Sequence, residues 1–593
     1  MRFFVRFEGT GMQSGTLRKD FVLELLNLNF CIGPVGEPLH LLRDVSMGVR
    51  RGGQLVAVLG PSGCGKSTLM KVIAGLSEAT SGSVQWKGRN LAEDGDFEPH
   101  EIGYVPQFSI AHENLEVWEC IQDAVRMRCS GLGAAAVEER VESVLEETGM
   151  QEISKKRVEV LSGGQRRRLA LGLELVSSPD LLLCDEVTSG LDPKAEDEIT
   201  GLLRRAADRG RIVLNITHSL RHLSSHDSVV VLCGGHLAFH SRAEFLTHYF
   251  GIEHHEDLYP KLATRAAEDW GQSWGKHRDS YALLEESNAS SSYVPPETSQ
   301  VVGNGQMDRE RVGFWVQWSV LWGRRWRLFW RDRGQVKLHA SLLLGFPCLV
   351  VVFALHGLPA LRAAAELPED PLRQLVSDFS TKLEYLRVGG MVSGLIMFQV
   401  VLLTLMGANN AAREVAGERL ILEKEKFSGL SPLAYVLSKV SFLGVLVLAQ
   451  SIWMSLFVNA VVRMPGNLLA QTLLLVLVNA AMTAVCLGIS SLMRTAEQSS
   501  LVSVYLVGFQ LPLSGAVLAL PEWLGKLTRP FIASYWGWSG FLQTLSETRF
   551  YNAVVQLTQT PLMPVWSVVW VLVLQVVAGT VAAYVGCKSS RWA

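Results

Sequence analysis

Residues 52–76 read GGQLVAVLGPSGCGKSTLMKVIAGL: an apolar run, a loop of glycines and small residues, then a stretch with helical spacing. The run has the length of a buried strand, and the loop carries Gly60, Gly65, Lys66 and Ser67 in the order G-x-x-x-x-G-K-[ST]. A strand–loop–helix unit of this kind is a phosphate cradle. The loop of Gly60, Pro61, Ser62, Gly63, Cys64, Gly65, Lys66, Ser67 and Thr68 is expected to surround phosphate oxygens with backbone N–H groups. Lys66 reaches the terminal phosphates, and the Ser67 hydroxyl ligates magnesium.

The 593 residues exceed one domain, and the apolar fraction of 48% is unevenly spread. Residues 1 to about 310 mix charged and apolar residues as a soluble domain does. Residues 338–587 hold apolar runs long enough, at roughly 20 residues each, to cross a bilayer. The formal net charge of −2 averages over unlike halves and points to no nucleic-acid partner. Nine cysteines without metal or disulfide spacing fit a reducing, cytosolic first half. The opening MRFFVRFEGTGMQSG lacks an apolar core of signal-peptide length, so targeting is expected from the later runs.

Downstream, PDLLLCDEVTSGLD (179–192) is an apolar run ending in Asp185 and Glu186, at the strand end where parallel sheets hold their ligands. Asp185 suits a magnesium shell, and Glu186 suits orienting or deprotonating an attacking water. Between loop and carboxylates stands LSGGQRRR (161–168). His218, His222 and His226 recur at i, i+4, i+8 without a cysteine or carboxylate cluster, so no metal site is expected there.

The P-loop, LSGGQ, LLLCDE and SGLD in this order resemble the nucleotide-binding domain of ATP-binding cassette (ABC) proteins. The resemblance implies ATP and Mg2+ as cofactors and supplies further positions. Gln107 in IGYVPQFS matches the Q-loop glutamine near metal and water, and Asp192 matches the D-loop aspartate. His218 in IVLNITHSL matches the switch histidine at the γ-phosphate, and Phe30 in LNLNFCIG matches the aromatic that stacks on adenine. The resemblance further implies that Ser162, Gly163, Gly164 and Gln165 cap the ATP of an opposite subunit. One P-loop and one signature per chain then make a dimer. A helix opening at that loop offers a second anion-binding N-terminus, while Arg166–Arg168 are expected on a solvated face.

These readings divide the chain into an α/β P-loop ATPase domain at 1–250, a linker at 251–313 and an all-α transmembrane domain at 314–593. Six spans are expected, at about 338–357, 388–410, 440–462, 467–491, 498–520 and 565–587, each free of Asp, Glu, Lys and Arg. WGRRWRLFWRDRGQVK (322–337) puts arginines and tryptophans just before the first span, which sets that end in the cytosol with its aromatics at the interface. Six spans place both termini and the loop 411–439 in the cytosol. The loop 521–564 then lies outside, with aromatics enough for a helix lying partly in the membrane.

ATPase first and membrane domain second resembles the white/ABCG group of half-transporters. REVAGERLILEKEKFSGLSPLAYVLSK (413–439) is similar to that group's cytosolic coupling region, and LSGAVLALPEWLGKL (513–527) to its fifth span entering an outer re-entrant segment. LSGGQ replaces a VSGGE-like form, Val187 stands where proline is usual, and 521–564 has no cysteine. Phe398, Gln399, Phe509 and Gln510 are cavity candidates by analogy. Other polar span residues, among them Asn409, Gln450, Asn479 and Gln575, are expected to hydrogen-bond between helices. Without ionisable relays in the spans, ATP is the expected energy source. The reading is an ATP-hydrolysing half-transporter of the cell membrane that forms a homodimer or heterodimer and exports a lipophilic or amphipathic small molecule or lipid. The alternative is a membrane-anchored ABC ATPase doing regulatory or mechanical work without moving a solute.

Overall fold

The computed structural model describes residues 21–33, 38–289, 312–355, 379–516, 520–558 and 560–590. The N-terminal stretch 1–20, residues 290–311 of the expected linker and residues 356–357 of the first expected span lie outside them.

The first domain has two sheets. One is antiparallel, in the order β2 (Leu39–Arg50), β1 (Phe21–Ile32), β4 (Ser81–Trp86), β5 (Arg89–Asn90). The other runs β10 (His236–Ser241), β9 (Ser228–Cys233), β3 (Gln54–Leu59), β8 (Ile212–Ile216), β7 (Leu181–Asp185), β6 (Ile102–Val105). It is parallel from β9 to β6. Its central strands LLLCD and IVLNI are buried at every residue, as strands covered on both faces must be. The covering helices are α1 (Lys66–Ile73), α2 (Val117–Arg128), α3 (Ala134–Thr148), α4 (Gly163–Leu175), α5 (Pro193–Asp208) and α6 (Glu244–Phe250).

Two more helices, α7 (Leu258–Leu262) and α8 (Ala267–Ala289), fall where a linker was expected. From α8, Trp270, Trp274 and Tyr281 bury their rings against Phe239, Tyr249 and Phe250. Rings of this size contribute strongly when buried. Past the boundary expected at 250, residues 258–281 therefore still pack against the ATPase domain.

Among the described residues, the second domain holds α9 (Phe314–Arg331), α10 (Arg333–Ala354), α11 (Phe379–Ala411), α12 (Arg419–Phe427), α13 (Pro432–Val462), α14 (Leu468–Leu492), α15 (Ala496–Gln510), α16 (Glu522–Thr528), α17 (Ala533–Gln543), α18 (Arg549–Leu557) and α19 (Val565–Ser589). Among the described residues, five helical stretches are long and apolar enough to cross a membrane: α10, Leu386–Phe427, α13, α14 and α19. The helix expected across 498–520 is corrected to the 15-residue α15. It ends at Gln510 because Pro512 lacks an N–H donor and its ring clashes with the preceding turn. A 3-10 turn, Pro512–Ser514, follows, and 517–519 lie outside the described residues.

In the loop expected to carry a membrane-embedded helix, α17 is buried from Ala533 to Leu542. Trp538 Nε1 donates to Ser393 Oγ at 3.1 Å, and the Tyr535 hydroxyl donates to Pro561 O at 2.9 Å. Polar residues tie the spans together. Asn410 and Gln450 exchange two hydrogen bonds at 2.8 and 3.0 Å, and Asn479 Nδ2 donates to Gln450 Oε1 and Ser451 Oγ. Such bonds between membrane helices contribute about 0.6 kcal/mol each.

Candidate functional site

Four neighbouring parallel strands, β3, β8, β7 and β6, each end at one group of functional side chains. The loop after β3 reaches α1 through Gly60, Gly63 and Gly65, all at positive φ. A Cβ at Gly60 would lie 2.3 Å from Leu232 O, and one at Gly65 would lie 2.6 Å from Leu41 O. Only glycine fits there. Lys66, buried at the start of α1, donates to Gly60 O and Pro61 O at 2.8 and 2.9 Å, which curls its ammonium back over the loop.

β7 ends in Asp185 and Glu186. Asp185 accepts from Ser67 Oγ at 3.0 Å and from the Tyr104 hydroxyl at 3.2 Å. Burial pushes its carboxyl above the usual range, and among the described residues it forms no ion pair. Glu186 stands in the left-handed region at φ 52, uncommon for a residue with a Cβ and frequent at functional sites. Its two oxygens are held from both sides, by Gln107 Nε2 at 2.9 Å and His218 Nε2 at 3.0 Å. Gln107 follows β6 and His218 follows β8, so the sheet order alone brings these partners together. The other two histidines are engaged separately: His222 pairs with Asp197 at 2.9 Å, and His226 Nδ1 meets His222 O. Among the described residues there is no cluster of three His, Cys, Asp or Glu to hold a metal unaided.

Ser162, Gly164, Gln165 and Asp192 form a second group. Ser162 caps α4: its hydroxyl accepts from Gln165 N at 3.3 Å, while Gln165 Oε1 accepts from Ser162 N at 3.1 Å. This reciprocal capping box occupies the Gln165 side chain locally. Asp192 caps α5 by accepting from Ala195 N at 2.9 Å, and Gly164 packs against that same Ala195. Phe30 is half-buried on β1 opposite Leu42. Cys64 is buried against the β9–β10 turn, its carbonyl accepting from Gly235 N at 3.1 Å.

Of the expected cavity residues, only Phe509 is exposed. Phe398 packs on Phe353 with ring centroids 4.9 Å apart. Gln399 is buried, and Gln510 Oε1 accepts from Ser534 N at 3.0 Å.

The arginines of α9 are not spread along a membrane surface. Arg324 and Arg325 pair with Glu425 and Glu414 of the membrane domain, while Arg327 and Arg331 pair with Asp123 and Glu119 of α2. Across the same junction Glu174, 1% exposed near the end of α4, meets Arg128 at 3.0 Å and Lys424 at 3.1 Å. Burial pushes its carboxyl up, but Arg128 and Lys424 together hold it below its ordinary range. The sequence reading missed these residues, although Glu174 inside the apolar LALGLEL was a signal.

A cavity of about 50 Å³ sits in this junction, lined by His112, Asp123, Arg128, Arg324, Lys424 and Glu425. Burial and Arg324 push the His112 imidazole down to about 4, with Lys439 acting the same way and Glu418 and Glu425 opposing. The unfolded chain takes up this proton near pH 6.5 and the folded one does not, so stability falls as pH drops from 6.5 toward 4. Melting temperatures of wild type and His112→Asn from pH 7.5 to 5 are expected to show a shallower acid slope in the variant. Equal slopes would remove His112 from the account.

Fold and site define a P-loop ATPase domain joined to a helical membrane domain. Residues 42–189 match the family model described as ABC transporter, and 316–544 the one described as ABC-2 type transporter. The "ABC transporter ATP-binding/permease protein Rv1747" of Mycobacterium tuberculosis is 31% identical over 493 residues, covering 81% of this chain and 52% of that protein. The "Nod factor export ATP-binding protein I" of Ralstonia nicotianae is 33% identical over 38% of this chain and 70% of its own length. The "Taurine import ATP-binding protein TauB" of Pseudomonas aeruginosa is 39% identical over 31% and 68%. The chain belongs to the ABC transporters, with an N-terminal ATPase domain and an ABC-2 type membrane domain. It spans about half the length of the mycobacterial relative.

Proposed function

We propose that this chain is one half of an ATP-driven exporter with the ABCG layout, and that two halves assemble around two nucleotides. The loop Gly60–Thr68 and Lys66 take the phosphates, and Phe30 packs on the adenine. Ser67, Asp185 and the Gln107 amide oxygen would hold Mg2+. The fit rests on Asp185, a buried carboxylate whose bound partners are neutral hydroxyls, and on a donor set of oxygens, which Mg2+ prefers. Bound there, the ion neutralises charge on the phosphate oxygens. Glu186 takes a proton from the attacking water, with Gln107 and His218 fixing the direction of its oxygens.

One observation carries the two-copy reading. Ser162–Gln165 makes its hydrogen bonds within its own turn, and Ser162 and Gly163 stay exposed at the N-terminus of a 13-residue helix. That end suits a phosphate held by another copy, with Asp192 beside it. In this reading α15 completes a sixth span, the ATPase domain and both ends lie in the cytosol, and the cell membrane houses the assembly. The apolar, ion-free spans suit a lipid or amphipathic substrate.

The test is ATP hydrolysis and lipid or amphiphile movement by the purified protein in liposomes. Hydrolysis accelerated by one ligand class that is also moved across the bilayer supports the exporter. Hydrolysis with no ligand moved supports the anchored ATPase, and a wild type without hydrolysis removes the homodimer and calls for a different partner half.

A further inference from the structure

We propose that Tyr104 is a positioning residue for the cation-binding carboxylate, and that Phe427 of the membrane domain sets it. The inference rests on the nucleotide site proposed above. Tyr104 lies on β6, 2% exposed, three positions before Gln107. Its hydroxyl donates to Asp185 Oδ2 at 3.2 Å while Ser67 Oγ donates to Oδ1 at 3.0 Å, so both carboxylate oxygens are fixed by neutral donors. Toward Asp185 the hydroxyl acts as a hydrogen-bond donor. A donor of this kind orients a ligand without adding charge, as partners of metal-binding carboxylates do.

The other side of the same ring faces a different domain. Phe427 meets Tyr104 edge-on, with ring centroids 6.3 Å apart and an interplanar angle of 71°. Two residues on, Gly429 at φ 95 passes so close to Pro99 that a Cβ would lie 3.0 Å from its Cγ. Pro99 precedes β6, so this loop touches both the approach to the strand and its tyrosine.

Phe427 is not free to settle independently. Its neighbour Lys426 donates to Cys587 O and Ser590 O at 2.6 Å, gripping the C-terminal end of α19, and Glu425 is held by Arg324 at 2.8 Å. A shift of the last span therefore reaches Phe427, then the Tyr104 ring, then Asp185. Two contacts separate the membrane domain from the metal carboxylate.

The experiment is an Mn2+ titration by electron paramagnetic resonance on the full chain in lipid nanodiscs, with ATP, in a Glu186→Gln background that preserves the nucleotide. ATP affinity in EDTA is measured alongside. Tyr104→Phe, which removes only the hydroxyl, is expected to weaken Mn2+ binding about tenfold and to leave metal-free ATP affinity unchanged. Phe427→Ala is expected to weaken Mn2+ binding in the Tyr104 protein, to add nothing in Tyr104→Phe, and to be rescued by Phe427→Trp. With Glu186 restored, the Mg2+ concentration for half-maximal hydrolysis should rise with Tyr104→Phe by the same factor. Unchanged Mn2+ affinity in Tyr104→Phe, or additive losses in the double variant, would reduce the ring pair to packing and overturn the proposal. A background protein that binds no Mn2+–ATP at all would instead overturn the nucleotide reading, and this proposal with it.

Discussion

A glutamine at position 186 is expected to lower ATP hydrolysis by about 10²–10⁴-fold, the contribution of a positioned general base, while ATP binding persists. The geometry isolates the effect. Glu186 contacts Gln107 and His218 and leaves the phosphate loop alone: Lys66 sits on Gly60 O and Pro61 O, and Ser67 on Asp185. The amide has the shape of the carboxylate and the same left-handed backbone position to occupy, but it has no basicity to offer water. Single-turnover hydrolysis together with equilibrium ATP binding in the same preparation measures the two separately. Loss of binding along with hydrolysis would mean that Glu186 holds the site together rather than accepting a proton. Hydrolysis near the wild-type rate would place the base elsewhere.

The cluster proposed here as the nucleotide site stood out in the sequence because its determinants are local. A phosphate loop needs glycine at fixed offsets, and a carboxylate pair at a strand end is written in consecutive letters. The sheet order then brought Gln107 and His218 onto Glu186, beside Asp185, across 79 and 32 positions of sequence. The helices at 258–289 were obscured by their polar surface, although Trp270, Trp274 and Tyr281 recur at helical spacing and mark a buried stripe. Likewise the early end of α15 was written in Pro512. The pairing of the α9 arginines was not legible at all. Arg327 meets Asp123 across 204 positions and Arg331 meets Glu119 across 212, and no periodicity encodes such partners. Positive charge beside a span suggests a cytosolic surface, and only the packed junction turns it into a contact between domains.

Glu174→Ala is expected to destabilise the protein by about 3–5 kcal/mol, because removing one member of a buried ionic group leaves its partners charged and unpaired. Arg128 would keep its hydrogen bond to Leu173 O at 2.8 Å but lose its carboxylate. Lys424, 4% exposed, would lose the counter-ion that lies 3.1 Å away. In a melting experiment this corresponds to a fall of roughly 10 °C. The same group predicts acid sensitivity: the carboxyl is held below its ordinary range, so its contribution is present above that range and fades as pH falls through the lowered value. Position adds a functional consequence. Glu174 stands near the end of the helix that Ser162 opens, and Lys424 stands on α12, whose Lys426 grips the end of α19. Cutting this link should therefore leave basal hydrolysis in protein that remains folded at low temperature while abolishing its acceleration by ligand in liposomes. The triple variant Arg128→Met, Glu174→Leu, Lys424→Met, which replaces the charges by apolar groups of similar length, separates the two effects. It should recover most of the melting temperature and remain uncoupled. A triple variant that regains ligand acceleration would show that shape complementarity at this joint, and not its charges, carries motion from the ATPase domain to the spans.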